Sequence, residues 1–307
     1  MEKILITGLS GFIGSYLKSR LSPKYEIYDL GCDLLDELAV KARLEAVQPH
    51  FVIHLAARTE VEKSFYEQST FSSVNYVGTV NMIEASKSLK NLRLFVFSST
   101  METYGWQPES DMIKQGAVPD PLPAFDENTP QNPNAPYAVA KVACESYLNY
   151  ASRVFGLPYC ILRQTNTYGR NDNNFFVVER IITQMLENKE EIYLGYKEPY
   201  RNFLFVDDLI DLYETVVSKP DLAKNQTFCT GPNNALSISS LVDMIAKKIE
   251  WNGKVRWNTR PHRHGEIYVL NSTNEKATAI LGWYPKTDLN LGLDKTISIW
   301  KSKKEQK

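Results

Sequence analysis

The chain has 307 residues, 43% hydrophobic and 23% charged, and its 35 basic and 36 acidic side chains leave a formal net charge of −1. That balance lacks the basic excess of a nucleic-acid binder, and no apolar run approaches the roughly 20 residues that a membrane span needs. The cysteines Cys32, Cys144, Cys160 and Cys229 are scattered without metal-ligand spacing, so reduced core thiols, no metal and a cytoplasmic location are expected.

The N-terminus reads directly as a buried strand, Ile4–Thr7. Further short apolar runs at Tyr25–Tyr28, Phe51–Leu55, Leu94–Ser98 and Tyr159–Leu162 have the length and the β-branched or aromatic content of buried strands. Helical patterns lie between them at Ile13–Leu21, Glu37–Val47, Val74–Leu89 and Tyr137–Phe155. This alternation predicts a doubly wound parallel α/β sheet of the Rossmann type. Trp106–Pro136, rich in Pro, Asn, Asp and Gly, interrupts the pattern and reads as an ordered loop beside the site. After Leu162 the order is less regular, with helices expected at Phe176–Glu187, Val206–Val217 and Ile238–Ile249 and a strand at Glu191–Leu194. Residues 1–164 with about 202–230 are therefore expected to bind a dinucleotide. Residues 165–201 with about 231–300 would form a smaller mixed α/β substrate domain.

The first strand runs into Gly8-Leu9-Ser10-Gly11-Phe12-Ile13-Gly14, which opens a helix. Glycines permit a tight turn and close backbone approach to a diphosphate, while the helix N-terminus offers unpaired N–H groups and a favourable dipole. Gly8, Gly11 and Gly14 could also serve an ordinary turn, but their place between a strand and a helix favours a dinucleotide. An acid at the end of the second strand would grip the ribose of NAD. Asp29 falls slightly early, Gly31 holds the expected place, and no arginine stands nearby in sequence. NAD is the expected cofactor, with NADP open.

Tyr137 and Lys141 stand four apart just after Pro136, on one face of a helix. An ammonium favours a phenolate, so the pair can supply a base nearer neutral pH. Such a spacing also arises on solvated faces. What distinguishes this one is the run Phe97-Ser98-Ser99-Thr100 after an upstream strand, with a hydroxyl available to a substrate oxygen.

With these pieces in place the chain resembles the extended short-chain dehydrogenases/reductases, in their epimerase/dehydratase branch that acts on nucleotide sugars. The matching segments run in order: Thr7–Gly14, His54–Ala57, Asn75 with Gly78-Thr79, Ser98–Gly105, Tyr137–Lys141, Leu162–Gly169, Arg201–Asp207, Arg263–Glu266 and Leu281–Pro285. The resemblance implies that Phe12 and Ile13 join the three glycines around the cofactor, that Asp33 and Leu34 lie by the adenine, and that Leu55, Ala56 and Ala57 line it. It implies Thr100, Tyr137 and Lys141 as the catalytic set. It places Met101, Asn166, Arg201 and Arg263 toward the substrate, where a guanidinium's planar fork suits phosphate oxygens. A homodimer through the helices at Val74–Leu89 and Tyr137–Phe155 is implied by analogy.

The same resemblance frames the reaction. Glu102 stands where nucleotide-sugar 4,6-dehydratases carry the glutamate that removes the C5 proton, whereas simple 4-epimerases more often have a small or uncharged residue. Met101 replaces an aspartate that many dehydratases use as general acid, and Glu60 stands where many relatives have histidine. Ala140 replaces a common serine, and the segment from Gly105 to Asp126 is longer than usual. Dehydration is the favoured expectation. Epimerisation and NADPH-dependent reduction of a 4-keto sugar are the alternatives. A non-catalytic dinucleotide sensor is disfavoured because the Tyr–Lys pair is intact.

Overall fold

Five consecutive positions, Lys3–Thr7, form β1, and from Ile4 onward each is fully buried. A strand covered on both faces must be apolar nearly throughout, and Ile-Leu-Ile satisfies that requirement. The computed structural model describes residues 1–259 and 265–305. After β1 come α1 (Phe12–Leu21), β2 (Glu26–Asp29), α2 (Glu37–Val47) and β3 (Phe51–His54). Two short helices follow, α3 (Val61–Ser64) and α4 (Gln68–Ser72), then a π-helical turn at Ser73–Val77, α5 (Gly78–Ser86) and β4 (Leu94–Thr100). Next are α6 (Pro108–Lys114), α7 (Pro136–Phe155) and β5 (Tyr159–Gln164).

The remainder alternates shorter pieces. They are β6 (Asn166–Tyr168), α8 (Val177–Glu187), β7 (Glu191–Tyr193), β8 (Tyr200–Arg201), β9 (Phe203–Phe205), α9 (Val206–Ser218), α10 (Pro220–Ala223) and β10 (Gln226–Cys229). Last are β11 (Leu236–Ser237), α11 (Ile238–Ile249), β12 (Lys254–Arg256), β13 (Val269–Leu270), α12 (Glu275–Leu281) and α13 (Leu289–Glu305).

Six strands pair in the order β2–β1–β3–β4–β5–β10, all parallel, as a Rossmann-like sheet. The order reverses between β1 and β3, and that switch point opens a crevice at the carboxyl ends of the strands. One apolar layer on the sheet, with Leu44, Met82, Phe97 and Leu148, joins α2, α5 and α7. The other, with Leu17, Leu162, Ile181, Leu209 and Leu241, joins α1 and α9 to α8 and α11. Smaller sheets, β11–β8–β13, β12–β7 and β6–β9, surround the far end.

Two expectations need adjustment. The helix expected at Val74–Leu89 begins earlier, at Gln68, and passes through the π-helical turn before α5. The Pro-rich segment also contains α6, which starts at Pro108 with Glu109 and Asp111 in its first turn. Proline and acids favour a helix start, and Ile113 buries against the apolar cluster of Phe125, Ile267 and Val269.

Candidate active site

The glycine turn is built so that side chains are excluded. Gly8 has φ +71°, and a Cβ on Gly14 would lie 2.3 Å from the Gly8 carbonyl oxygen. Gly11 N–H bonds that same oxygen at 3.0 Å, and no side chain caps α1. The helix start therefore presents Phe12 and Ile13 with the geometry an anion needs.

Behind the turn lies a buried chain of neutral groups. Thr7 Oγ1 accepts the N–H groups of Leu55 and Ala56, both at 3.1 Å, and lies 2.8 Å from His54 Nδ1. His54 Nε2 is 2.9 Å from Thr79 Oγ1, which donates to the Asn75 carbonyl at 2.6 Å. Since Thr79 spends its proton on Asn75, His54 must donate from Nε2 and accept from Thr7 at Nδ1. Burial, and then the nearby Lys141 ammonium, push His54 down to about 3. Asn75 also bonds both backbone groups of Arg58, at 2.8 and 2.9 Å. Leu55, Ala56 and Ala57 are thus fixed along the crevice beside Gly8.

Asp29 closes β2, directly opposite Ile6 of β1. The acid therefore does stand at the strand end, and Gly31 merely turns the chain with φ +71°. Arg43 of α2 comes back to this point, donating to the Asp29 carbonyl at 2.8 Å, so an arginine absent from the local sequence is present in space. Asp33 caps its own turn, accepting the Leu35 N–H, and Leu34 packs under Gly78.

Thr100, Glu102, Tyr137 and Lys141 converge at the end of β4. Thr100 caps a 3-10 turn at Met101–Tyr104 by accepting the Glu102 N–H at 3.1 Å, and its hydroxyl bonds that of Tyr137. Burial first, and then the Glu102 carboxylate, hold the Tyr137 phenol well above its ordinary value, while the Thr100 bond lowers it. Lys141 Nζ donates to the Ser98 carbonyl at 2.7 Å and lies 4.6 Å from the Phe97 ring centre. Burial brings its ammonium down to about 8, opposed by Cys144 and Glu145.

A second network supports this turn. Glu145, one helical turn beyond Lys141, takes Arg163 Nη2 at 2.8 Å, Gln131 Nε2 at 2.9 Å and the Ser99 hydroxyl. Gly105, at φ +57°, brings the turn against the Asn132 carbonyl, where any Cβ would collide.

The residues expected to face a substrate divide. Glu102 and Arg201 line one pocket with Val61, Phe65, Asn134, Glu266 and Ile267. Arg201 donates to the Ile267 carbonyl at 2.6 Å and pairs Glu266 at 3.3 Å. Met101 turns the other way and is buried with Tyr104, Phe125 and Val269, its sulfur accepting the Thr165 hydroxyl at 2.9 Å. Asn166 Nδ2 bonds the Asn202 carbonyl at 3.2 Å. Glu60 pairs Lys63 at 2.7 Å. Arg263 lies outside the described residues. Asn134 carried no sequence signal, and Glu266 stood in a matched segment without a role of its own; the fold brings both to the pocket.

The family model described as the NAD dependent epimerase/dehydratase family matches residues 4–231. The chain belongs to this family. Among its relatives is a Methanocaldococcus jannaschii protein with the provisional name UDP-glucose 4-epimerase, 29% identical over 97% of this chain and 98% of its own. The dTDP-glucose 4,6-dehydratase 1 of Escherichia coli is 26% identical over 96% of this chain and 91% of its own. The structure of UDP-glucose 4-epimerase from Thermotoga maritima with UDP-glucose superposes with a TM-score of 0.86, at 25% identity, over 98% of this chain and 99% of that one.

This epimerase/dehydratase family member is thus an NAD(P)-dependent enzyme of nucleotide-sugar chemistry, and the glycine turn fits a dinucleotide: a side chain at Gly14 would fill the space against Gly8. Among the described residues no cluster of His, Cys, Asp and Glu could hold a metal, and no helix is long and apolar enough to cross a membrane.

Proposed function

We propose that the enzyme oxidises a nucleotide-activated sugar at C4 and then eliminates water across C5 and C6, as a 4,6-dehydratase-type lyase. The observation that carries this reading is the Glu102 carboxylate, which acts electrostatically on Tyr137 and lines the same pocket as Arg201. A bound NAD supplies the hydride acceptor and later the donor. Gly8, Gly11, Phe12, Ile13 and Gly14 would hold its diphosphate, Asp29 a ribose, Asp33 and Leu34 the adenine, and Leu55 to Ala57 the crevice wall. Three carboxylates, Asp29, Asp33 and Asp36, crowd the ribose end beside Arg43, which favours NAD over the extra phosphate of NADP.

Tyr137 takes the C4 hydroxyl proton. Burial and the Glu102 carboxylate both oppose its ionisation, so the Lys141 ammonium and the Thr100 hydroxyl would have to supply the stabilisation that makes it a base. Glu102 then removes the proton that the C4 ketone has made acidic at C5 and would pass it to the departing C6 hydroxyl, which leaves as water. Asn166, Arg201 and Arg263 would hold the nucleotide diphosphate. The dinucleotide-binding domain is assigned to residues 1–164 with about 202–230, and the substrate domain to 165–201 with about 231–300. The outer side of α7 leaves Val139, Tyr150, Val154 and Phe155 exposed, which supports a homodimer paired there.

A 4-epimerase is the second reading, favoured by Met101: a buried thioether cannot protonate a departing C6 hydroxyl. The deciding experiment is mass spectrometry after incubation with UDP-, GDP-, CDP- and dTDP-sugars, with NAD or NADP. A product lighter by one water is expected, and Glu102→Gln should remove it. An isomer of unchanged mass would instead establish epimerisation. Tyr137→Phe should abolish turnover in either case while leaving NAD binding in place; undiminished turnover would overturn its role as base.

A further inference from the structure

Arg170 is a largely enclosed cation with little to balance it. Its guanidinium lies 4.4 Å from the ring centre of Phe12 and 3.8 Å from that of Phe176, clamped between the two. Nη1 donates to the Thr167 carbonyl at 2.6 Å. No described carboxylate comes within ion-pair distance. The nearby Glu179 commits one oxygen to the backbone N–H groups of Gly169 and Arg170, each at 2.9 Å. Its other oxygen is buried without a partner, and burial holds its carboxyl above the ordinary range. Burial also lowers the guanidinium's own value, and the Glu179 and Asp172 carboxylates only partly offset it.

An uncompensated guanidinium in an enclosed site is costly unless an anion completes it. The ring it stacks on identifies that anion. Phe12 is the first residue of α1, on the glycine turn whose helix start is open to a negative group. Tyr16, one turn further along α1, bonds the Gly169 carbonyl at 3.4 Å, so the segment carrying Arg170 is moored to this helix. We propose that Arg170 is a binding residue for the diphosphate of the dinucleotide, supplying a full positive charge opposite the partial charge of the α1 dipole. It stands 162 positions after Gly8 and was not among the residues singled out in the sequence.

The inference rests on the glycine turn being the dinucleotide site, and the experiment separates the two. Binding of ADP-ribose and of adenosine is measured by calorimetry on the full chain, wild type, Arg170→Met, Arg170→Lys and Gly11→Asp. Gly11→Asp places a favourable cap on α1 but sets a carboxylate where the diphosphate would sit, so its loss of ADP-ribose tests the turn alone. Arg170→Met keeps an apolar filler between the rings. It should weaken ADP-ribose about ten- to a hundredfold, the worth of a charge-assisted bond, leave adenosine unchanged, and be largely reversed in Arg170→Lys. Unchanged ADP-ribose affinity in a folded Arg170→Met overturns the assignment, also if nucleotide-sugar affinity falls instead. Equal losses for adenosine and ADP-ribose overturn it too, because they mark a packing role.

Discussion

The two buried polar networks at the carboxyl ends of the strands make a useful pair. Behind the glycine turn, Thr7, His54, Thr79 and Asn75 form a chain of neutral groups in which each proton has one destination. Behind the turn that carries the proposed catalytic residues, Glu145 and Arg163 form a charged pair, with Ser99 and Gln131 completing the carboxylate. A neutral chain fixes direction: it determines one tautomer and hence the course of the backbone at Leu55 and Ala56. A charged pair concentrates cost at two atoms and ties β4, β5 and α7 to one point. The cofactor crevice needs backbone precision, and the catalytic turn needs three elements held together.

That contrast can be broken most forcefully at Glu145. Glu145→Ala leaves the Arg163 guanidinium buried and unpaired, so unfolding by denaturant should show a loss of about 3–5 kcal/mol. Replacing both partners with apolar residues of similar size should recover most of it, since well-packed apolar pairs often match buried ion pairs. In the neutral chain, Thr7→Val strands the Leu55 and Ala56 N–H groups. Its expected cost is about 1–3 kcal/mol by the same assay.

Acid sharpens the difference further. His54 binds its proton at about 3 in the fold against 6.5 ordinarily, so the unfolded chain takes up more protons between those values. The stability due to neutral His54 is complete above pH 6.5 and declines as pH falls toward 3. The contribution approaches about 1.4 kcal/mol per pH unit, and His54→Asn should remove that part of the slope in a urea series. The smallest effect belongs at the surface. Arg256 and Glu191 pair at 2.8 Å with Arg256 half exposed, and Arg256→Ala should leave the denaturation midpoint essentially unchanged. A larger change would mean that surface charge, and not these buried networks, carries much of the fold's electrostatic stability.

The inner strands of the sheet were legible because they are buried on both faces and read as apolar runs: β1, β3, β4 and β5 fall within two residues of expectation at either end, whereas the edge strand β10 was not anticipated. The elements beyond Leu162 were less so, because strands such as β8, β11 and β13 are two residues long and take their order from tertiary pairing. At the site, Thr100, Tyr137 and Lys141 were visible as local motifs. Asp29 was placed slightly early for the end of the second strand, whereas β2 ends at Asp29 itself. Arg43 and Asn134 reach the site from distant segments, and no spacing rule could have found them.

The last strand of the main sheet, β10, pairs with β5 alone and comes from residues 226–229, more than 60 positions after β5 ends. During synthesis, β5 is therefore an open edge until the ribosome has released α9 and the segment after it. An unpaired edge of apolar residues is a template for pairing with another chain. The enzyme's exposure to misassembly is thus set by a delay in time: the nascent chain carries the whole catalytic turn well before its sheet is closed.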